Sequence, residues 1–252
     1  MKAMVFAAGL GTRLRPLTND RPKALVEIDG RTLVEIALGR LREFGVREVV
    51  INAHHFAEKL VEYLKAHDDF GMAVHVSRED VLLDTGGGLK KAAHFFLDDV
   101  RAVQAEEPIV VHNVDVLSTI DLARMAQAHT ANKALATLAV QRRKTSRYLL
   151  FDEHGELRGR RIGDLATAEV VRESRRVEAL AFAGIHIVSP RLFDKLSEDG
   201  AFSIITSYLH LAGAGEKIMA FRADDAYWRD LGRQEDLEQA ARDLKRGLSK
   251  EL

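Results

Sequence analysis

Residues 2–23 read KAMVFAAGLGTRLRPLTNDRPK: a short apolar run, Lys2 to Ala7, passes straight into a turn built on Gly9 and Gly11 and followed by Arg13, Arg15, Arg21 and Lys23. A strand that delivers the chain directly to a glycine turn is the opening of a βαβ unit. The glycines allow a bend where a side chain would clash, so that successive N–H groups can converge on an anion. Thr12 can add a hydroxyl, Arg13 paired charge-assisted bonds, and Lys23 a mobile point charge. The spacing fits neither common phosphate loop. GxxxxGK[ST] requires Lys directly after its second glycine, and GxGxxG requires a third glycine where Leu14 stands. Taken alone, a glycine pair with basic neighbours is also a frequent solvated turn, so both readings stay open.

Working outward, apolar runs alternate with amphipathic stretches. Leu33, Ile36, Ala37, Leu41 and Phe44 fall at helical spacing, which predicts a helix from Thr32 to Phe44 stopped by Gly45. A strand at Val49–Asn52, a helix at Phe56–Ala66 and a short strand at Val74–Ser77 follow, then a helix at Thr85–Phe96 that opens on three glycines. Pro108–His112 reads as a buried strand ending near Asp115. The pattern predicts an α/β fold, a Rossmann-like, mostly parallel mixed sheet flanked by helices, with ligands at the carboxyl ends of its strands. The later chain changes style. A hairpin at Tyr148–Arg158 turns on DEHG, and a long strand occupies Leu180–Val188. Pro190–Leu196 and Ile204–Ala212 read as helical, Lys217–Phe221 as a strand and Arg233–Leu248 as a closing helix, while the polar stretch before Glu178 takes no assignment.

Composition narrows the classes of function. Among 252 residues, 37 Lys and Arg nearly cancel 38 Asp and Glu, so no global charge draws the chain to nucleic acid or an anionic membrane. Any polyanion site must be local. Cysteine is absent, which excludes disulfides and thiolate chemistry. The start, MKAMVFAAG, has one Lys and an apolar stretch, but Arg13 and Arg15 follow at once with no cleavage pattern. No run approaches the roughly 20 apolar residues of a membrane span. A soluble, cytoplasmic protein without nucleic-acid or membrane partners is expected.

The string GLGTRLRPLT…RPK closely resembles the signature of the sugar-1-phosphate nucleotidyltransferases, GxGTRLxPLT followed by PK, and ALVEIDGRTLVEIALGRLREFGVREVVIN is similar to their usual continuation. The likeness covers roughly residues 2–125 and reappears between Ala181 and Gly232. It implies a single nucleotidyltransferase domain over 1–252, with a nucleotide-binding half (1–130), a sugar-binding elaboration (131–232) and a C-terminal helix (233–252). It also implies a reaction in which a nucleoside triphosphate and a sugar 1-phosphate give a nucleotide-sugar and pyrophosphate. Together those substrates bring about six negative charges, taking roughly two for a terminal phosphate, which would account for the basic turn. Length leaves no room for the β-helix acyltransferase of longer members, so one activity is expected.

The same resemblance distributes roles. Ala8, Gly9, Gly11, Thr12 and Arg13 would cradle the triphosphate, and Arg13, Lys23 and Asp115 would be catalytic. Asp115 in HNVDV and Asp230 in YWRDLG match the two metal aspartates and imply Mg²⁺, which prefers carboxylate and phosphate oxygens. Each acid alone would be an ordinary surface or capping residue. SREDVLLDTGGGLKKA (77–92) looks like the second nucleotide loop, in which Glu79, Asp84, Thr85 and Gly86 face the base. A carboxylate at Glu79 would accept the imide N–H of uracil or guanine and so favour UTP or GTP. The three glycines could equally be a flexible helix start. Their tripling is most similar to short members acting on N-acetylmuramate 1-phosphate or on mannose- or heptose-type sugars. Asn113, and Gly184 in AFAGIHIVSP, would meet the sugar, although Gly184 also suits a tight core contact.

Two departures stand out. Val114 precedes Asp115 where glycine is usual, which alters the expected approach to the sugar phosphate, and no EKP lysine is recognisable. Arg147, Arg160, Arg161, Arg175 or Arg176 would substitute for that lysine, or are simply exposed charge. Trp228 is expected to pack, and His54 and His55 would face opposite sides of a strand. The lack of a Ser, His and Asp triad or a Cys nucleophile agrees with direct transfer. A cytidylyltransferase for choline phosphate or a polyol phosphate, an enzyme of molybdenum cofactor assembly, and a non-catalytic nucleotide-sugar sensor are the rival readings. The sequence does not indicate an oligomeric state.

Overall fold

The computed structural model describes residues 1–97, 107–163 and 168–246. Strand β1 (Lys2–Phe6) is buried at Ala3 to Phe6, as a strand covered on both faces must be. The basic turn follows, and a hairpin of β2 (Glu27–Ile28) and β3 (Arg31–Thr32) then reverses the chain on Asp29 and Gly30, with φ of 50° and 78°. The Thr32 hydroxyl accepts from the Glu35 N–H and so starts α1 (Leu33–Glu43). Next come β4 (Glu48–Ala53), α2 (Ala57–Ala66) and β5 (Ala73–Arg78). The predicted helix Thr85–Phe96 is two helices, α3 (Asp84–Lys91) and α4 (Ala93–Leu97), which precede β6 (Ile109–Asn113).

Between Asp115 and Tyr148, where the sequence reading assigned no element, lie β7 (Val116–Ser118), α5 (Leu122–Asn132) and β8 (Ala136–Gln141). The predicted hairpin is β9 (Arg147–Phe151) and β10 (Leu157–Ile162), and beyond it are β11 (Glu169–Val170) and the long β12 (Glu178–Val188). A 3₁₀ turn at Pro190–Lys195 leads to α6 (Ile204–Gly213), β13 (Ile218–Arg222), β14 (Trp228–Asp230) and α7 (Gln234–Lys245). The far end of the predicted closing helix, from residue 247, lies outside the described residues.

Strands β5, β4, β1 and β6 are parallel neighbours, and β12 runs antiparallel beside β6, which makes the sheet mixed as predicted. One edge of β12 is shared. Its residues 178–181 pair with β9 and its residues 185–188 with β6, while β8 runs along the other edge. Between the two pairings, at Phe182–Gly184, the register against β8 also shifts. Side chains of β1 alternate between two cores, Ala3 and Val5 facing one, Met4 and Phe6 the other. Residues of α1, α2, α5 and α7 fill the first core, and those of α3, α4 and α6 the second.

Candidate active site

Phe6 pairs with Asn52 on one side and with Asn113 on the other, so β1, β4 and β6 end level with one another. The loops leaving those ends border a cavity of about 400 Å³ whose wall includes Ala8, Gly9, Lys23, Asn52, Thr85 and Asp115. This is the carboxyl edge expected to hold ligands.

The basic turn supplies one wall. A Cβ on Gly9 would project into open space, and Gly9 itself borders the cavity. Gly11 has φ of 62°, and a Cβ there would press within 3.0 Å of the Thr18 methyl and 3.2 Å of Lys23 Cβ. The Thr18 hydroxyl donates to the Gly11 carbonyl at 2.8 Å and closes the loop. Lys23 is thereby folded back beneath the turn, only 8% exposed, where its ammonium pairs with the Asp115 carboxylate. Thr12 and Arg13 remain exposed on the rim, outside the cavity wall.

The second aspartate arrives on a different strand. β14 pairs antiparallel with β7, Asp230 lies opposite Val116, and the Leu231 N–H donates to the Asp115 carbonyl at 2.8 Å. Asp230 and Asp115 thus converge from positions more than a hundred residues apart. Burial, and then the charge of Asp115, raise the Asp230 carboxyl above the usual carboxylate range, while Lys23, the Gly232 N–H and Arg13 oppose the rise. A Cβ on Gly232 would fall 2.5 Å from Asp230 Oδ1 and 2.7 Å from Arg13 Nη2, so glycine is what allows the guanidinium and the carboxylate to approach there. Beneath Asp115, burial and the charge of Arg40 push the His112 imidazole down to about 4, which keeps it neutral. Two facing carboxylates with two cations beside them form a site for a charged ligand rather than a closed metal cage. Among the described residues no group of three or more His, Asp or Glu could hold a metal ion alone. Mg²⁺ is commonly held by one or two carboxylates together with substrate phosphates, so the donor set fits that ion with a phosphate ligand present.

A profile for nucleotidyl transferases matches residues 2–247. The chain belongs to the nucleotidyl transferase family. Over 241 residues this transferase is 34% identical to N-acetylmuramate alpha-1-phosphate uridylyltransferase of Caulobacter vibrioides, with 91% of each chain covered. It is 28% identical to D-glycero-alpha-D-manno-heptose 1-phosphate guanylyltransferase of Aneurinibacillus thermoaerophilus, over 97% of this chain and 98% of that one. In three dimensions it is similar to HddC from Yersinia pseudotuberculosis complexed with GMP-PN, with a TM-score of 0.75 at 20% identity over 96% and 99% of the two chains. The resemblance read from GxGTRLxPLT and PK is therefore correct, and the protein is an enzyme that transfers nucleotidyl groups.

The second loop of the transferase corrects the sequence reading at two of four residues. Asp84 and Thr85 border the cavity. Glu79 does not, because its carboxylate is 4% exposed and turned inward, accepting from Asn52 Nδ2 at 2.7 Å and from the Leu83 N–H at 3.0 Å. Asn52 in turn accepts from the Ala7 N–H at 2.7 Å, so a single chain of hydrogen bonds ties this loop to the basic turn. Gly86 also faces inward. Its N–H donates to the Phe202 carbonyl at 2.8 Å, and a Cβ would collide with the Phe202 ring at 2.2 Å. Gly87 is pressed against the Gly200 carbonyl, and Gly88 against Asn52 and Glu79. The triple glycine is close-packed, Gly86 and Gly87 against residues 200–202 and Gly88 against Asn52 and Glu79.

Asn113 borders the cavity, and Gly184 (φ 73°) packs against it, a Cβ there reaching Asn113 Nδ2 at 2.8 Å. Gly184 itself stands outside the cavity wall, and the tight contact is its evident structural use. Val114 is 4% exposed, belongs to the first core and donates its N–H to the Phe6 carbonyl at 3.1 Å. Of the five arginines read as substitutes for a lysine, Arg160 pairs with Glu169 at 2.6 Å and Arg161 stacks on Tyr148 at 4.9 Å. Arg147, Arg175 and Arg176 are exposed. His54 and His55 follow the strand rather than lying on it, and His54 Nδ1 is 2.7 Å from the Glu79 carbonyl.

One residue of the cavity wall escaped the sequence reading as a site residue: Asn52, detectable as the polar last position of VVIN, a strand end at the ligand edge.

Proposed function

We propose that this enzyme joins the uridylyl or guanylyl group of UTP or GTP to a sugar 1-phosphate. A phosphate oxygen of the sugar 1-phosphate forms a new bond to the α-phosphorus, the bond from that phosphorus to the β-phosphate bridging oxygen breaks, and pyrophosphate leaves. A phosphate monoester with a second pKa near about 6 is already mostly dianionic at neutral pH, so no general base is needed. The chain's own contribution is position and charge.

In this reading Ala8, Gly9, Gly11 and Thr12 line the path of the triphosphate, and exposed Arg13 closes on it from the rim. Lys23 holds phosphate oxygens at the cavity floor, and Asp84 and Thr85 border the base. Asn113 and Gly184 form the sugar side, Gly184 within the sugar-binding elaboration of residues 131–232. Asp115 and Asp230 would hold Mg²⁺, which would neutralise the α-phosphate when bound. The observation that carries the reading is the convergence of Arg13, Lys23, Asp115 and Asp230, with Lys23 and Asp115 in the wall of the cavity.

Loss of Glu79 as a reader of the base removes the sequence argument for UTP or GTP. The preference rests instead on relatives named as uridylyl- and guanylyltransferases, and N-acetylmuramate 1-phosphate is the first sugar to try because the relative at 34% identity is named for it. No helix among the described residues is long and apolar enough to cross a membrane, and a reaction fed by nucleoside triphosphates suits the cytoplasm. Pyrophosphate release should be assayed with UTP, GTP, CTP and ATP against N-acetylmuramate, mannose, heptose and glucose 1-phosphates, with products identified by mass. One UTP or GTP pair is expected to dominate; release from no pair at all defeats the reading.

A further inference from the structure

Between the pairing of β12 with β9 and its pairing with β6, the carbonyls of Phe182 and Ala183 accept hydrogen bonds from side chains. Arg143 Nη2 donates to the first at 2.6 Å, and Trp228 Nε1 donates to the second at 2.7 Å. The two side chains also hold each other, with the guanidinium carbon 3.6 Å from the centre of the indole ring. Arg143 is therefore fixed by a hydrogen bond and a stack, the planar contacts an arginine makes and a lysine cannot.

Beyond the stack on Trp228 and the bond to the Phe182 carbonyl, its charge has no partner among the described residues. Among the described residues Arg143 forms no ion pair, and its Nε is buried without an acceptor. The adjacent Arg142, by contrast, is exposed and paired with Glu178 at 2.7 Å. Arg143 is half-buried, and a partly desolvated guanidinium without a carboxylate partner is a group that an anionic ligand would satisfy. The neighbourhood indicates what that is. Trp228 and Asp230 are two positions apart on one strand, hence on the same face and about 7 Å apart. Gly184, next in the bulge, packs on Asn113 at the cavity wall. Burial lowers the Arg143 pKa below the usual arginine range, and the charge of Asp230 opposes that, so the two groups sense each other. Arg13 and Lys23 approach the aspartates from the turn after β1, whereas Arg143 lies in the loop after β8, packed on Phe182 of β12 and Trp228 of β14.

We propose that Arg143 is the cation that binds the phosphate of the sugar 1-phosphate and aims it at the triphosphate. The assignment rests on the reaction given under Proposed function. Its test uses whichever triphosphate and sugar 1-phosphate pair the native enzyme turns over, with R143M and R143K compared by steady-state kinetics and melting temperature. Loss of a charged hydrogen-bonding partner of about 1.5–3 kcal/mol corresponds to a rise of about 10- to 150-fold in the sugar 1-phosphate KM of R143M, and the triphosphate KM should stay within about 3-fold. R143K keeps charge without the planar stack, should melt close to the native enzyme, and should show a smaller rise, about 5- to 20-fold. A merely structural role would move both KM values together or neither. If R143M does not fold, R143K alone decides, and an unchanged sugar 1-phosphate KM in it overturns the proposal. A native enzyme that turns over no pair removes the reaction itself, and this assignment with it. A native enzyme that works while both variants retain its KM removes only the role of Arg143.

Discussion

The two glycine-containing loops at the cavity use glycine for opposite ends. In the turn after β1, Gly9 faces open space and the cationic side chain of Arg13 is left exposed on the rim. In the loop leading into α3, each of Gly86, Gly87 and Gly88 faces an atom of the protein closer than 3.0 Å to where a Cβ would sit, and the carboxylate of Glu79 is fully engaged inside the chain. One loop keeps room and charge for a visitor. The other is a packed wall that fixes where the visitor stops. Hydrogen bonds through Asn52 bind the two together, so the open loop is held in register by the closed one.

Substitutions can separate these roles. The largest effect should come from Asp115→Asn, which removes a carboxylate beside Lys23; turnover should fall by about 10³-fold while the melting temperature stays near native. A variant releasing pyrophosphate at more than a tenth of the native rate would take Asp115 out of the chemistry. Arg13→Ala should lower kcat/KM for the triphosphate by about 10- to 100-fold with no loss of stability, as expected for an exposed charged donor. Gly87→Ala should reverse the pattern. Its methyl must displace the Gly200 carbonyl, so denaturant titration should show a loss of about 1–3 kcal/mol while the folded fraction retains its KM values. The mildest and most discriminating change is Glu79→Gln, which turns one acceptor towards a donor. It should cost about 1 kcal/mol and leave the ratio of UTP to GTP turnover untouched. A changed ratio would return Glu79 to the base and undo the contrast between the loops.

Legibility followed distance along the chain. The central strands announced themselves because β1, β4 and β6 are continuous apolar runs followed by punctuation, and the Thr32 cap and Gly45 stop framed α1 locally. α5 passed unseen because its buried face is carried by Leu122, Met125 and His129 among alanines, a weak contrast, and β8 because all six of its positions are buried, leaving no alternation to count. The aspartates were read by motif. What brings them together, the pairing of β7 with β14, involves two strands of three residues each that no window would detect. Glu79 and Gly86 were misread for a related reason: their partners, Asn52 and Phe202, lie 27 and 116 positions away, and a carboxylate or glycine beside a cavity looks the same in sequence whichever way it turns. Arg143 is the extreme case, since its environment is assembled from Phe182 and Trp228 and from nothing nearby.

Trp228, two positions from Asp230, is the chain's single tryptophan, and the guanidinium of Arg143 lies over its ring. Its fluorescence therefore originates at one known spot, where any ligand drawing the guanidinium away or changing the field at the carboxylates alters the emission. The protein carries its own optical probe of occupancy, and titrations of magnesium, nucleotide or sugar phosphate can be followed on unmodified material.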